Sequence, residues 1–213
     1  MLRSVPLVEV WRGNFLESCH LGHIIVSNFE GEVVQAWGDP DHIILPRSSC
    51  KILQALPLVA SGAADAFGLT TQQLALSCAS HQGAEIHSNL VKSWLKDLGK
   101  KDNDFRCGRQ WPRDIEASNL MVKTDETPCR YHNNCSGKHA GFLSTAHHMG
   151  EPLEGYITKD HPVQERLLQV LLELGGCNLL NTAKGIDGCG IPVMAMPLSA
   201  LALAAARMST PDG

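Results

Sequence analysis

Residues 46–51 read Pro-Arg-Ser-Ser-Cys-Lys, and they mark the point where the hydrophobic period of the chain changes from about two to about 3.6. Pro46, just ahead of Ser48, is typical of the first residues of a helix. Helical residues three apart share a face, so the spacing predicts that the Ser48 hydroxyl meets the Lys51 amine. A serine becomes a nucleophile when an adjacent base takes its proton. The stretch therefore predicts both a strand-to-helix boundary and a Ser–Lys catalytic pair.

Arg47 adds a positive charge beside this pair. It would lower the pKa of Lys51, or it would hold a substrate carboxylate through two parallel hydrogen bonds. The same S-x-x-K spacing also occurs in exposed surface pairs and in penicillin-binding proteins and serine β-lactamases. The K-T-G and S-D-N companions of those enzymes are absent from the sequence. A penicillin-recognising acyl hydrolase is therefore the weaker alternative.

The residues before this stretch predict strands. They are expected at Val5–Trp11, His20–Ser27 and Glu32–Trp37, with a turn at residues 28–31 between the last two. The helix that follows Ser48 is expected to bury Ile52, Leu53, Leu56 and Val59 and to be kinked or shortened at Pro57.

The residues after it predict further helices. One begins at Thr70, where Gln73 completes a capping box, and the others span residues 85–98, 136–148, 161–174 and 197–208. The polar segment 100–130 is expected to be a loop with a short strand near residues 120–123. We therefore expect one α/β (α+β layered) domain over residues 1–213, with a strand meander followed by helices packed on the sheet.

The composition argues for a small-molecule partner. The formal net charge is −4, and no block of basic residues offers a face for nucleic acid or for a membrane surface. The eight cysteines contain no C-x-x-C pair and are irregularly spaced, unlike a disulfide scaffold. The longest apolar run, residues 195–206, is too short to span a bilayer, and no signal peptide is visible. Reduced thiols and a cytoplasmic location are the expectation.

Two separated segments carry possible metal ligands. In one, Cys135, Lys138 and His139 fall at helical spacing, and in the other Cys189 lies in a glycine-flanked turn that begins at Asp187. Two such cysteines could bind zinc, with His139 as the natural nitrogen donor, or each could be an inert buried thiol. Ser80 lies beside His81, but adjacent residues rarely face each other, so a direct Ser–His couple is not expected.

Taken together, residues 46–51, 79–83, 134–139 and 187–190 resemble the rhizobial-type L-asparaginases, the asparaginase II family. The resemblance runs from Val8 to Met208. It implies a fold similar to the serine β-lactamases and glutaminases, a homodimer, and the hydrolysis of L-asparagine to L-aspartate and ammonia.

The resemblance also implies roles for individual residues. Ser48 and Lys51 would form one Ser–Lys pair, and Ser80 would belong to a second. Zinc would be held by Cys135, Lys138 and Cys189, with water completing the site and Asp187 nearby. The resemblance thus implies Lys138, and not His139, as the third zinc ligand. His139 and Arg47 then become candidates for holding the substrate or shaping the pocket.

Members of this family continue beyond the point that corresponds to Gly213, and the lysine that partners Ser80 lies in that further portion. The chain is therefore expected to be a fragment or a shortened relative. The alternative to an amidohydrolase is a non-catalytic or truncated zinc-binding module that binds asparagine without cleaving it.

Overall fold

The computed structural model describes residues 4–210. Its eight strands pair two by two: β1 (Val5–Arg12) with β2 (Phe15–Gly22), β3 (Ile24–Ser27) with β4 (Val33–Trp37), β5 (Ile43–Ile44) with β8 (Met196–Pro197), and β6 (Lys184–Ile186) with β7 (Pro192–Met194). The helices are α1 (Lys51–Ala60), α2 (Ala63–Ala66), α3 (Thr71–Cys78), α4 (Glu85–Asp97), α5 (Ile115–Lys123), α6 (Ser136–His148), α7 (Pro162–Gly175) and α8 (Leu198–Ser209). This mixture of helices and small antiparallel sheets is compatible with the predicted α/β class.

The described residues group into two compact units. One comprises residues 4–46, 171–183 and 194–210, and the other comprises residues 47–170 and 184–193. The single domain expected over residues 1–213 and the likeness to serine β-lactamases and glutaminases stay predictions. The expectation about the chain end at Gly213 falls outside the described residues.

The first unit holds two separate hairpins instead of one continuous meander. β1 and β2 pair across the turn at Gly13, and β3 and β4 pair across the predicted turn at residues 28–31. The strand expected at residues 20–27 is divided between β2 and β3, with His23 between them. The β3–β4 hairpin packs against α8.

The second unit is built around α6, in which every residue from Ser136 to Ala146 is buried. Two glycines let neighbouring elements come close to this helix: Gly137 lies against Leu76 of α3, and Gly141 lies against Leu58 of α1. Trp94 of α4 is fully buried and donates its indole N–H to the Ser144 hydroxyl at 3.0 Å. The helix expected over residues 136–148 is confirmed, with the same bounds.

The buried face of α1 differs from the predicted one. Leu53 is buried as expected, but Ile52 and Val59 are exposed, and Lys51 and Gln54 are buried in their place. The helix runs through Pro57 to Ala60, so the proline does not end it. Leu53, Pro57 and Leu58 give this face its apolar part. Buried polar side chains on a helix that leaves apolar ones exposed are a departure from the simple pattern, of the kind expected at a functional site.

The segment 100–130 contains a helix that the sequence did not predict. Asp114 accepts a hydrogen bond from the Ala117 N–H at 2.9 Å and so caps the start of α5. The strand expected near residues 120–123 is wrong, because those residues form the last turn of this helix. By contrast, the capping box at Thr70 and Gln73 is confirmed at the start of α3.

The helices of residues 4–210 include none with the length and apolar character that crossing a bilayer requires.

Candidate functional site

Lys51 is the centre of the candidate site. It is the first residue of α1, and its side chain is 1% exposed. Its Nζ donates to the Ala79 carbonyl oxygen at 2.9 Å and lies 2.6 Å from Ser80 Oγ. Burial lowers the pKa of Lys51, and the positive charge of Lys138 lowers it further against the opposing effect of Cys135. A lysine with a lowered pKa is neutral more often, and a neutral amine can take a proton from a hydroxyl.

Ser80 reaches Lys51 because α3 ends just before it. Ala79 leaves the helix in an extended conformation, which carries Ser80 out of the helix and leaves it exposed. The hydroxyl thus touches a buried amine on one side and is open to solvent on the other. This is the arrangement that a nucleophile needs in order to meet a dissolved substrate.

Ser48 lies nearby in sequence, but its neighbourhood is different. It belongs to the 3₁₀ turn Arg47–Cys50 that precedes α1, and it is exposed. Within residues 4–210 the structure records no hydrogen bond between Ser48 and Lys51. The structure brings Lys51 together with Ser80, and the pairing of Lys51 with Ser48 stays a prediction.

Two buried thiols and a second lysine lie next to Lys51. Cys135 precedes α6, Lys138 lies within its first turn, and Cys189 comes from the turn between β6 and β7. The three side chains are 5%, 2% and 4% exposed, and Lys138 Nζ donates to Cys189 Sγ at 3.4 Å. The sequence-predicted metal donors therefore meet in one place.

The two sulfurs share a hydrogen bond. That bond from Cys189, with the lysines Lys138 and Lys51, lowers the pKa of Cys135 to about 6, although burial opposes the shift. The same bond, together with burial, raises the pKa of Cys189 to about 11. The pair thus holds one thiolate and one thiol, and a thiolate is the form that binds a metal.

A metal at this place would need a donor besides the two cysteines, and Lys138 is the candidate. Nowhere in residues 4–210 do three histidine, cysteine or carboxylate side chains form a metal-binding group by themselves. Two sulfurs and one amine form a soft donor set, which favours zinc over magnesium or calcium. These three side chains are the ones that could hold such an ion.

His139 is fully buried behind these donors. Its Nδ1 lies 2.7 Å from Tyr156 Oη, and its Nε2 is buried without a hydrogen-bond partner among the described residues. Burial lowers the pKa of His139, and Cys189 opposes this shift. Of the two roles expected for His139, this position favours shaping the pocket over holding the substrate. No sequence signal pointed to Tyr156, which lies in a turn with no periodic pattern around it.

Arg47 and Asp187 form an ion pair at the edge of the same cluster. The guanidinium donates from Nε to Asp187 Oδ1 at 3.0 Å and from its terminal nitrogen at 2.9 Å, and the Gly188 N–H donates to the same oxygen at 2.8 Å. Burial acts to raise the pKa of Asp187, but the hydrogen bonds from Gly188 and Arg47 outweigh it, so the pKa is lowered. The Arg47 side chain is 63% exposed and retains free donors.

His81 also lies at the site, but it does not contact Ser80 as a base. Its Nδ1 accepts the Gly83 N–H at 3.1 Å, so the neutral ring carries its hydrogen on Nε2, 2.8 Å from Ser136 Oγ. Ser136 in turn donates to the Tyr131 carbonyl oxygen at 2.9 Å. The expectation that Ser80 and His81 form no direct couple agrees with this geometry.

The sequence profile of the L-asparaginase II family matches residues 8–213, nearly the whole chain. No curated protein matches the chain significantly.

Proposed function

Because the chain belongs to the L-asparaginase II family, we propose that it hydrolyses L-asparagine to L-aspartate and ammonia. The observation that carries this proposal is the 2.6 Å contact between Lys51 Nζ, which is buried, and Ser80 Oγ, which is open to solvent. In this proposal the Ser80 hydroxyl is the nucleophile and the Lys51 amine is the base in contact with it.

The proposed reaction is acyl transfer through a serine ester. The Ser80 oxygen attacks the side-chain amide carbon of asparagine, and its proton passes to Lys51 Nζ. When the carbon–nitrogen bond breaks, Lys51 returns that proton to the leaving group, which departs as ammonia. Water then adds to the ester, Lys51 takes its proton, and aspartate leaves as the serine hydroxyl is restored. Ser48 is the alternative nucleophile, since it lies one turn before Lys51.

Substrate recognition is assigned to the ion pair at the edge of the cluster. The free donors of Arg47 suit the α-carboxylate of asparagine, and the Asp187 carboxylate suits its α-ammonium group. Because Gly188 and Arg47 lower the pKa of Asp187, this carboxylate stays ionised at neutral pH. His139 supports the pocket from behind.

Cys135, Lys138 and Cys189 would hold a zinc ion beside this pocket. The donors fit: both sulfurs and the amine are buried together, and His139, the residue after Lys138, has a buried Nε2 with no hydrogen-bond partner among the described residues. Lys138 would bind as a neutral amine, since its ammonium form has no lone pair. When bound, the ion would supply positive charge that orients the polar groups of the substrate, while the serine carries the covalent chemistry.

The decisive experiment compares Ser80→Ala and Ser48→Ala. We expect Ser80→Ala to abolish ammonia release while its zinc content stays at the wild-type level, and we expect Ser48→Ala to retain measurable turnover. Ser118→Ala on α5 is the control for losing a serine hydroxyl outside the site. Full activity in Ser80→Ala, or an acyl-enzyme trapped on Ser48, would assign the nucleophile to Ser48 instead.

A second candidate function is a zinc-binding module that binds asparagine without cleaving it. The convergence of the two thiols and Lys138 favours it, because this cluster needs neither serine. Calorimetry with asparagine beside an ammonia assay separates the two: heat of binding without ammonia would identify the module. The homodimer and the cytoplasmic location remain predictions.

A further inference from the structure

Ser80 lies in an extended segment whose backbone is hydrogen-bonded on both sides of it. On one side the Ala79 carbonyl oxygen accepts a hydrogen bond from Lys51 Nζ at 2.9 Å. On the other side the His81 N–H donates to the Asn134 carbonyl oxygen at 3.2 Å. In the part of the chain that the structure describes, no backbone hydrogen bond is recorded for Ser80 itself. The position of its hydroxyl therefore depends on how firmly its two neighbours are held.

The imidazole ring of His81 gives the second side a further attachment. This side chain is 5% exposed, its Nδ1 accepts the Gly83 N–H at 3.1 Å, and its Nε2 lies 2.8 Å from Ser136 Oγ. Ser136 donates its own hydrogen to the Tyr131 carbonyl oxygen at 2.9 Å, so its oxygen accepts the ring N–H. Both ring nitrogens are thus hydrogen-bonded, and one of them joins the neighbour of Ser80 to Ser136.

Ser136 is a firm point of attachment. It is fully buried and is the first residue of α6, which is buried along most of its length. The His81 ring also stacks on His87 of α4, with the ring centroids 5.2 Å apart. Two helices therefore hold the ring, whereas Lys51 comes from a third helix, α1. The 2.6 Å contact between Ser80 Oγ and Lys51 Nζ depends on this arrangement.

We propose that His81 and Ser136 are positioning residues, whose hydrogen bond holds the Ser80 hydroxyl against the Lys51 amine. The inference rests on the proposed function, because it takes Ser80 as the nucleophile. Neighbouring hydrogen bonds and packing hold reacting groups in their productive geometry, and a displacement of about 1 Å can slow a reaction by about 100-fold. The two residues would act on the reaction through Ser80 without touching the substrate.

The test compares Ser136→Ala with Ser144→Ala, a matched loss of a hydroxyl from the same helix. Ser144 is also fully buried, accepts a ring N–H from Trp94 at 3.0 Å and donates to a backbone carbonyl oxygen. Both variants should therefore unfold at a lower urea concentration than the wild type. Only Ser136→Ala should lower kcat for asparagine, by about 10- to 100-fold. KM should change by less than about 2-fold, because Arg47 and Asp187 are untouched.

A second measurement follows the nucleophile without asparagine. A fluorophosphonate probe, from which a nucleophilic serine oxygen displaces fluoride, should label Ser80 of the wild type, as located by mass spectrometry. Labelling should be about 10-fold slower or more in Ser136→Ala and unchanged in Ser144→Ala. Because Cys135 precedes Ser136, labelling is repeated with EDTA. Slowing that persists is independent of zinc, whereas slowing seen only without EDTA would assign Ser136 to the metal site and overturn the inference.

A double-mutant cycle tests the hydrogen bond itself. In the His81→Phe background, Ser136→Ala should have no further effect on kcat or on the labelling rate. An undiminished effect in that background would overturn the inference. If His81→Phe does not fold, the comparison of Ser136→Ala with Ser144→Ala decides, and equal rates in those two variants would overturn it.

The same measurements separate the inference from the proposed function. A wild type that releases ammonia but is labelled at Ser48, or at no serine, would overturn the inference and leave asparagine hydrolysis standing. A wild type that is labelled at Ser80 but releases no ammonia would overturn the proposed function. The labelling rates of Ser136→Ala and Ser144→Ala would then decide the inference by themselves.

Discussion

At the scale of single residues, we expect the buried amine of Lys51 to serve catalysis without stabilising the fold. Its amine is buried and makes hydrogen bonds to Ala79 and Ser80, so the fold carries the cost of desolvating a cation. We expect Lys51→Met, which keeps the length of the side chain, to reduce ammonia release by about 100-fold or more, since it removes the base. The same variant should unfold at a temperature no lower than the wild type, because the buried amine is gone.

The measurements are an ammonia assay and a thermal unfolding scan, with Lys92→Met as the control. Lys92 is an exposed lysine on α4, so the matched substitution should change neither activity nor unfolding temperature appreciably. A large drop in the unfolding temperature of Lys51→Met would show that the amine is a structural element, and the assignment of Lys51 as the base would lose its physical support.

At this scale, the sequence predicted only those contacts of the candidate site that join residues a few positions apart on the same helix. The three-residue interval places Lys138 back beside Cys135, because both lie at the start of α6. Cys189 joins them from 51 residues beyond Lys138, and no periodic pattern encodes that contact. The same limit explains Lys51: its helical spacing pointed to Ser48, whereas the fold brings in Ser80 from the end of α3.

At the scale of elements, the close approach of α6 to α3 depends on Gly137. A Cβ at this position would lie 2.7 Å from the Leu76 Cγ and closer still to its backbone carbonyl oxygen. A backbone atom cannot rotate away, so α3 and α6 would have to separate. We expect Gly137→Ala to lower the free energy of unfolding by about 2 kcal/mol or more.

Gly141→Ala is the matched control on the same helix. There the new Cβ would meet only the end of the Leu58 side chain, at 3.3 Å, and the Ser77 Cβ at 3.6 Å. Alanine favours a helix over glycine by about 1 kcal/mol, which offsets the small adjustment of Leu58. Urea denaturation should therefore find the free energy of unfolding of Gly141→Ala within about 1 kcal/mol of the wild type. If Gly137→Ala loses as little as this, α3 can move away from the new Cβ and the contact with Leu76 does not restrict the position.

Elements were predictable where a local signal fixes their ends. The capping box at Thr70 and Gln73 and the helix over residues 136–148 needed no tertiary information. The helix α5 was missed because its cap, Asp114, lies in a polar stretch with Pro112 just before it, which reads as a loop. The buried face of α1 was missed because hydrophobicity alone cannot show that Lys51 and Gln54 replace Ile52 and Val59 inside.

At the scale of the whole molecule, the buried histidines make stability depend on pH. Burial lowers the pKa of His81 from 6.5 to about 4, and the nearby charges of His87, Lys51 and His132 add to the shift. Burial also lowers the pKa of His132. Well above pH 6.5 these rings are neutral in both the folded and the unfolded chain and contribute nothing to the pH dependence.

Below pH 6.5 the unfolded chain binds protons at these histidines that the folded chain excludes, so the free energy of unfolding must fall as the pH decreases toward 4. For His81 alone the loss reaches about 3 kcal/mol across that window. A proton on His81 Nδ1 would also confront the Gly83 N–H, which is the geometric cause of the exclusion. We expect urea denaturation between pH 7 and pH 4 to show a shallower decline in His81→Gln than in the wild type. His20→Gln, a change at an exposed histidine on β2, should leave the wild-type slope intact, and an unaltered slope in His81→Gln would contradict the burial of a neutral ring at this site.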